Sequence, residues 1–332
     1  THQHIAGIQE MADWLVKEDG SPKAKALAAN LYLVLHEHVN APFLEREHDG
    51  LCEFQKQAAS LVGQVMKEHP DLRTTAYADL ACDEKSGCDR PSMVKRLTDQ
   101  DPRNAYVWLR ALRIAQATEN SIDERFAIKG LAASQYIDNL QKNLEIDFSG
   151  FLKKYSPDDS ALLESFDSVS LNQYPSIFFL ARSSCRTLST TSMDQELVND
   201  CRQAAMVFAQ SDDLTTANVT SRLLYRLSAD GADRKSAYKS FRNSRWWSDS
   251  YHSEADFPGN QKSWAAWGEK WRGKRESISA IQADLASRGM PIIAPDDYEL
   301  SDYDKKQFGL IDTDLEAGVA EDLAGQEYLQ PL

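Results

Sequence analysis

Long apolar runs are missing from this chain of 332 residues. A membrane-spanning helix needs about 20 consecutive apolar residues, and no stretch of the sequence approaches that length. We therefore expect any membrane attachment, such as a lipid anchor upstream of Thr1, to lie outside these residues. The first residue is threonine rather than methionine, which indicates a processed or trimmed chain.

Sequence signatures of catalysis and of metal binding are also missing. The chain contains no nucleophile elbow, no P-loop and no dinucleotide-binding fingerprint. The densest histidine group is His36-Glu-His38, but residues two apart on a helix point in different directions, which favours a surface position over a metal site. We therefore predict no catalytic residue, no cofactor, no metal and no enzymatic activity.

Alternation of β-branched and polar residues is almost absent, which argues against a substantial β-sheet. Apolar residues recur instead at helical spacing, separated by short turns that contain proline, glycine, serine or aspartate. The hydrophobic content is 42% and the charged content is 27%, values typical of a globular protein. These features predict an all-α fold of antiparallel helix pairs. The expected helices include one over residues 1–18 that ends at Gly20, one that runs through Ala26 to about Val39, one from Cys52 to His69 with Phe54, Ala58, Leu61, Val62 and Val65 facing inward, and one over Leu214–Ser228.

The stretch Asp101–Leu112, DPRNAYVWLRAL, predicts the first helix of a helical hairpin, because Asp-Pro interrupts one helix and Asn-Ala starts the next. The second helix is expected to begin at Ser121, where Ser121 and Glu124 would form a capping box. Its helical pattern is expected to continue to Leu144. Small residues such as Gly130 would permit close approach of the two helices.

The pattern D-P-x-N-A-x-x-W-L at residues 101–109 resembles the opening of a tetratricopeptide repeat. In that family, Asp-Pro ends one hairpin, and an aromatic residue and small residues pack the next. The resemblance implies stacked antiparallel helix pairs, arranged as a solenoid or as a helical bundle. We expect this helical domain over residues 1–230, with an aromatic helix and an acidic region packed on it over residues 231–332.

Five cysteines are present, and four of them form closely spaced pairs. Cys82 and Cys88 flank a short loop, while Cys185 and Cys201 lie near a turn between two helical stretches. Neither spacing fits a zinc site, and both suit disulfides. At least one disulfide is expected, which favours an exported protein over five reduced core thiols. The pairing of Cys52 stays open.

An aromatic region lies in residues 238–273, where five of the seven tryptophans occur with arginine and lysine between them. A helix is expected to run from Ser263 to about Arg288 and to end at Gly289. One interpretation is an apolar stripe that seals the end of the helical stack; the other is an exposed patch that binds a partner or a glycan. The tryptophans concerned are Trp246, Trp247, Trp264, Trp267 and Trp271.

The C-terminus carries an unusual density of negative charge. Residues 296–327 contain eleven acidic residues and two lysines, and the whole chain has a formal charge of −14. Phosphate would be repelled by such a surface, so nucleic acid is excluded as an expected partner. The region is either a solvating tail or an ordered segment that attracts a basic protein. The residues predicted to bind a partner are Trp246, Trp247, Asp312, Asp314, Glu316, Glu321 and Asp322.

The 101–109 pattern, together with the Cys…Cys-Arg pattern of the helical pair at Cys185 and Cys201, resembles exported helical proteins of gammaproteobacteria. Some of these proteins are thought to be periplasmic immunity proteins for antibacterial effectors. The resemblance implies a periplasmic location and a non-enzymatic protein that binds and neutralises a secreted effector, which we expect to be basic.

Two other functions remain open from the sequence. The first is a cell-envelope carbohydrate-binding protein or enzyme that uses the Trp246–Trp271 region, which would need a pocket lined by those tryptophans. The second is a scaffold or lipoprotein chaperone in envelope assembly.

Overall fold

The computed structural model describes residues 2–40, 53–82, 87–138, 140, 144, 147–148, 150–151, 155, 177–229, 231–252 and 277–307. Every regular element within these residues is helical. Strand-like pairing there is limited to two isolated bridges, Asn104 with Tyr136 and Asp213 with Ser277. The described part of the chain is therefore all-α, which confirms the predicted fold class.

The chain divides into two compact units. One comprises Thr1–Pro102 and Asp138–Tyr174, and the other comprises Arg103–Ile137 and Pro175–Pro331. The helices on either side of residue 230 pack on each other within the second unit, and the predicted domain boundary at that residue stays a prediction.

Apolar helices surround a buried central helix in the first unit. The helix α1 continues into a π-helical turn at Leu15–Asp19 and ends at Gly20, whose positive φ of 62° suits glycine. The sequence predicted this end. The described α-helices of the unit are α1 (His2–Trp14), α2 (Pro22–Asn40), α3 (Glu53–Lys67), α4 (Leu72–Leu80) and α5 (Arg90–Gln100).

The central helix is α2, which packs against α1, α3 and α4. Its residues Leu27, Leu31 and Leu35 are fully buried, as expected for a helix that is apolar on several faces. The side-chain amide of Asn30 donates to a carbonyl one turn earlier at 2.8 Å and to the carbonyl of Tyr77 at 2.9 Å. This buried polar group is therefore satisfied.

Aspartates begin the two helices that follow α3. Asp71 accepts from the backbone N–H of Thr74 at 2.7 Å, and Asp89 accepts from that of Ser92 at 3.1 Å. Each bond satisfies an N–H that has no partner within the first helical turn. In α3, the structure confirms the predicted buried residues Ala58, Leu61, Val62 and Val65.

The second unit is also built from packed helices. Its described elements are α6 (Ala105–Ala117), α7 (Ser121–Ala133), α8 (Phe178–Arg182), a 3₁₀ turn (Ser184–Thr187), α9 (Gln195–Phe208), α10 (Leu214–Leu227), α11 (Gly231–His252), α12 (Ile278–Ser287) and α13 (Asp302–Gln307). The helix α7 contacts both α6 and α9, and α10 contacts both α9 and α11.

The predicted helical hairpin is present as α6 and α7. Asn104 caps α6 by accepting from the backbone N–H of Tyr106 at 3.1 Å, as the Asn-Ala pair suggested. A Cβ atom added at Gly130 would lie only 2.2 Å from the Trp108 ring. The indole therefore occupies the space above the glycine, and the two helices approach closely there.

Two predictions about α7 are wrong. The capping residue is Asn120, whose side chain accepts from the N–H groups of Ile122 and Asp123, so Ser121 is already the first helical residue. The Glu124 carboxylate is bound instead by the backbone N–H and hydroxyl of Ser184. A contact distant in sequence thus replaces the expected capping box.

The helix also ends at Ala133 rather than continuing to Leu144. Ser134 is extended, and its hydroxyl donates to the carbonyl of Gly130 at 2.9 Å. The carbonyl of Tyr136 then accepts from the backbone N–H of Ala105 at 2.9 Å. Pairing with the start of α6 therefore takes the chain out of the helix.

The helix predicted from Ser263 to Arg288 is interrupted. Ser277 is extended and caps α12, which begins at Ile278, while residues 263–276 lie outside the described residues. The expected end is correct, since Gly289 has a φ of +70°. A regular tetratricopeptide-like stack stays a prediction.

Candidate functional site

One side of α7 carries apolar side chains that face solvent. Ile122 is 80% exposed and Phe126 is 64% exposed, and residues four apart on a helix share a face. Arg125 and Lys129 fall on the same side. Met193, just before α9, is 97% exposed, and the residue that follows it, Asp194, is bound by Arg125. We define the α7 face as Ile122, Arg125, Phe126, Lys129 and Met193.

This face follows from the arrangement of apolar residues along α7. Ala127, Ile128 and Leu131 form the buried stripe. Ile122 and Phe126 lie roughly opposite that stripe on a helix of 3.6 residues per turn. The face was not predicted from the sequence. Ile122 and Phe126, an apolar pair that lies outside the buried stripe, were the signal that could have revealed it.

Ion pairs join the α7 face to α9. Arg125 contacts the carboxylates of Asp194 at 2.5 Å and Glu196 at 3.4 Å, and Lys129 lies 3.6 Å from Glu196. The hydrogen bond from Arg125 lowers the pKa of Asp194, with the backbone N–H of Leu197 contributing, and the same contact raises the pKa of Arg125. The charges of the face are therefore compensated within the chain, and its apolar pair remains exposed.

The aromatic residue of the face rests on a buried support. The ring of Phe126 meets the ring of Trp108 edge-on, with centroids 5.4 Å apart. Trp108 is only 9% exposed and fills the space above Gly130. One side of the Phe126 ring is thus fixed by α6, and another side faces water.

A disulfide and a carboxylate tie the neighbouring elements together. Cys185 and Cys201 are bonded, with Cα atoms 5.7 Å apart, which confirms the predicted pair. Cys201 lies in α9, and Cys185 lies in the 3₁₀ turn. Glu124 of α7 accepts from the backbone N–H of Ser184 at 2.5 Å, so α7, the turn and α9 form one connected set.

The second predicted disulfide is also present. Cys82 and Cys88 are bonded, with Cα atoms 5.6 Å apart, and join the end of α4 to the start of α5. Cys52 lies outside the described residues.

The two predicted partner-binding tryptophans of α11 make contacts within the chain. Trp247 is only 9% exposed, and its indole N–H donates to the carbonyl of Ile292 at 2.9 Å. Trp246 donates to the carbonyl of Pro291 at 2.9 Å and packs edge-on against Tyr298. Both indoles therefore bind the backbone of Pro291 and Ile292, which follow α12. Direct binding of a partner by the two tryptophans stays a prediction.

The remaining predicted partner-binding residues lie outside the described residues, as do the three tryptophans near residue 270. A glycan pocket lined by tryptophans therefore stays a prediction. These residues are Asp312, Asp314, Glu316, Glu321, Asp322, Trp264, Trp267 and Trp271.

A cavity of about 260 Å³ lies between α3 and α5 in the first unit. Its lining is mostly apolar and includes Met66, Met93 and Cys88, with Asp89 and Ser92 at the start of α5. The Asp89 carboxylate accepts from the hydroxyl of Ser92 at 2.6 Å, which lowers the pKa of Asp89. This cavity contains no tryptophan and does not match the pocket required for glycan binding.

Metal sites and membrane-spanning helices are both absent from the described residues. No three His, Cys, Asp or Glu side chains among them are grouped so that they could hold a metal ion. No described helix is both long enough and apolar enough to cross a membrane.

Comparisons with known proteins give no assignment. No protein-family model, curated protein or solved structure matches the chain.

Proposed function

We propose that this chain is a protein-binding module that acts by docking on its partner rather than by catalysis. The α7 face carries the proposal. Scattered apolar residues are normal on protein surfaces, but this face groups Ile122, Phe126 and Met193 on elements joined by ion pairs and a disulfide. Such a grouping is typical of a surface that a second protein covers.

The energetics of burial support this use of the face. Removing an isoleucine, phenylalanine or methionine side chain from water contributes about 1.5–3 kcal/mol for each residue when burial is complete. Phe126 is also held in place by Trp108, so little side-chain freedom is lost when a partner covers it. Apolar anchors of this kind dominate many protein interfaces.

The partner that we propose is a secreted antibacterial effector, which makes the chain a periplasmic immunity protein. Two disulfides fit an exported protein, because such bonds persist in oxidising compartments. The formal charge of −14 favours fast capture of a basic effector.

A calorimetric titration with the purified product of the neighbouring gene tests the proposal. Wild-type protein should bind at micromolar concentration or tighter. The variant Ile122→Ser/Phe126→Ser should bind at least about tenfold more weakly, since two apolar anchors are lost.

Met206→Ser is the matched control. Met206 is 45% exposed on α9, and it lies thirteen residues beyond Met193. This control should keep wild-type affinity. Absence of binding by the wild type would reject this partner, and equal affinities for the wild type and the α7-face variant would reject the face.

A further inference from the structure

Residues 290–300 form a non-helical segment whose main chain is bound by side chains of α11. The indole N–H of Trp246 donates to the carbonyl of Pro291, and that of Trp247 donates to the carbonyl of Ile292, each at 2.9 Å. The tryptophans therefore bind the backbone of the segment and leave the side chains of Ile292 and Ile293 exposed. We name these residues the 290–300 segment.

The preceding turn of α11 continues this backbone recognition. The side chain of Asn243 accepts from the N–H of Ala294 at 3.1 Å. The guanidinium of Arg242 donates to the carbonyls of Asp296 at 2.9 Å and Tyr298 at 2.8 Å. Residues earlier in α11 contact residues later in the segment, so the helix and the segment lie antiparallel.

Both ends of the segment are anchored by packing. Met290 packs against the apolar cluster that contains Trp247 and the fully buried Leu285. At the other end Leu300 is only 4% exposed and packs against the fully buried Phe241. The residues between these anchors therefore have a fixed path along the helix.

Two isoleucines point away from this fixed path into solvent. Ile292 is 46% exposed and Ile293 is 53% exposed. Pro291 and Pro295 flank them, and the proline ring fixes φ near −65°, which limits the freedom of the backbone. The isoleucines are consequently presented in a preorganised conformation, which lowers the entropy cost of binding.

Acidic side chains follow the isoleucines on the same segment. Asp296, Asp297 and Glu299 are exposed, and their carboxylates make no ion pair within the described part of the chain. The segment thus combines a short apolar motif with exposed carboxylates that form no ion pair among the described residues, whereas the charged side chains of the α7 face already form ion pairs.

We propose that the 290–300 segment is a second contact region, which selects a basic protein partner. Ile292 and Ile293 enter an apolar pocket on that partner, and lysine or arginine side chains at the pocket rim meet Asp296 and Asp297. The inference rests on the proposed function and adds the segment that recognises the basic partner. Trp246 is a positioning residue, because it acts through the backbone of Pro291.

The sign of the charge decides between classes of partner. Nucleic acid and anionic lipid would both be repelled by the exposed carboxylates of Asp296, Asp297 and Glu299. A basic protein is attracted, and rim charges of this kind act mainly on the association rate and on its salt dependence. The α7 face and the segment therefore contribute in different ways, and the two contributions can be measured separately.

The charge is tested with the variant Asp296→Asn/Asp297→Asn and the purified product of the neighbouring gene at several salt concentrations. Stopped-flow mixing measures the association rate, and calorimetric titration measures the affinity. We expect association to slow by about three- to tenfold at low salt, and we expect affinity to depend less on salt than in the wild type. The variant Ile122→Ser/Phe126→Ser should weaken binding and keep the wild-type salt dependence.

The apolar contact is tested with Ile292→Ser/Ile293→Ser. Affinity should fall by about tenfold or more at every salt concentration, because the apolar area is lost and the charges remain. Circular dichroism should show unchanged helix content, since both side chains are exposed.

Positioning is tested with Trp246→Phe, which removes the N–H donor and keeps a ring against Tyr298. Hydrogen exchange should become faster at the amides of residues 292–300 and stay unchanged in α6 and α7. Binding should weaken because the segment is held less firmly once the hydrogen bond to the carbonyl of Pro291 is lost.

The outcomes separate the inference from the function on which it rests. No binding by the wild type overturns both. Binding by the wild type with unchanged affinity and salt dependence in the segment variants overturns the inference alone and leaves the α7 face as the docking surface.

Discussion

The glycine in the middle of α7 shows how strongly one residue can depend on a distant neighbour. Gly130 is unfavourable for a helix by about 1 kcal/mol relative to alanine. The Trp108 ring lies where a Cβ atom at this position would be. The glycine therefore permits the aromatic contact that positions Phe126 on the α7 face.

Gly130→Ala should destabilise the protein by about 1–3 kcal/mol, because the added methyl group forces Trp108 to move. Chemical denaturation of the two proteins measures this difference. Gly63→Ala is the matched control, since a Cβ atom there meets nothing within 4 Å. The control should be neutral or stabilised by up to about 1 kcal/mol. Equal effects of the two substitutions would contradict the packing described here.

Several residue roles were predictable because they depend on near neighbours in sequence. Gly20 ends the first helix, and Asn104 begins α6, as their local patterns indicated. The role of Glu124 was not predictable, because Ser184, sixty residues away, supplies its hydrogen-bond donors. Local capping rules apply only where no tertiary contact competes for the same side chain.

At the scale of elements, the start of α7 gives a direct comparison between the sequence rule and the structure. The Ser-x-x-Glu pattern favoured Ser121 as the cap. Asn120 takes that role because its side chain reaches the N–H groups of Ile122 and Asp123, at 3.1 Å and 3.2 Å. Asparagine is at least as good a capping residue as serine, so the capping preference itself allowed either Asn120 or Ser121 to cap α7.

Asn120→Ala should therefore lower the free energy of unfolding by about 1 kcal/mol, the usual effect of losing a helix cap. Ser121→Ala should change it by less than about 0.5 kcal/mol, because Ser121 is the first helical residue and its side chain is exposed. Urea denaturation of the two variants under identical conditions measures both. A larger effect for Ser121→Ala would restore the capping box.

Helix existence was more predictable than helix extent. The apolar periodicity correctly placed helices at α2, α3 and α10, with bounds within a few residues. The two helices predicted too long are not continuous at Ser134 and Ser277. Tyr136, two residues after Ser134, pairs with Asn104, and Ser277 pairs with Asp213. Such pairing carries no periodic signal, so a continuous helical pattern could not reveal it.

The exposed surface of the 290–300 segment depends on how that segment packs against α11. The aromatic character of α11 was evident from the sequence, but its bonds to the carbonyls of Pro291 and Ile292 required the tertiary structure. A backbone carbonyl is the same in every residue, so no sequence pattern marks it as the acceptor. The exposure of Ile292 follows from that docking.

At the scale of the whole molecule, the two disulfides are the features that most closely link structure to compartment. They close loops with sequence separations of 6 and 16 residues. The longer loop restricts the unfolded chain more, and on the loop-entropy argument the two bonds contribute about 2 and about 3 kcal/mol.

Cys185→Ser/Cys201→Ser should accordingly destabilise the protein more than Cys82→Ser/Cys88→Ser, as measured by denaturation of both variants. In the wild type, thiol titration under denaturing conditions should find one thiol before reduction and five afterwards, since the chain contains five cysteines. Five thiols before reduction would contradict an oxidised, exported protein.

The sequence by itself determined that the described part of this protein is helical and which cysteines lie close enough along the chain to pair. Both properties depend on short-range spacing: apolar residues that recur every three or four positions, and thiols close enough along the chain to meet. The tertiary structure decided where two helices stop, which residue caps α7, and which apolar side chains stay exposed. Those properties depend on segments that are distant in the chain and close in space, and a one-dimensional pattern does not record that proximity.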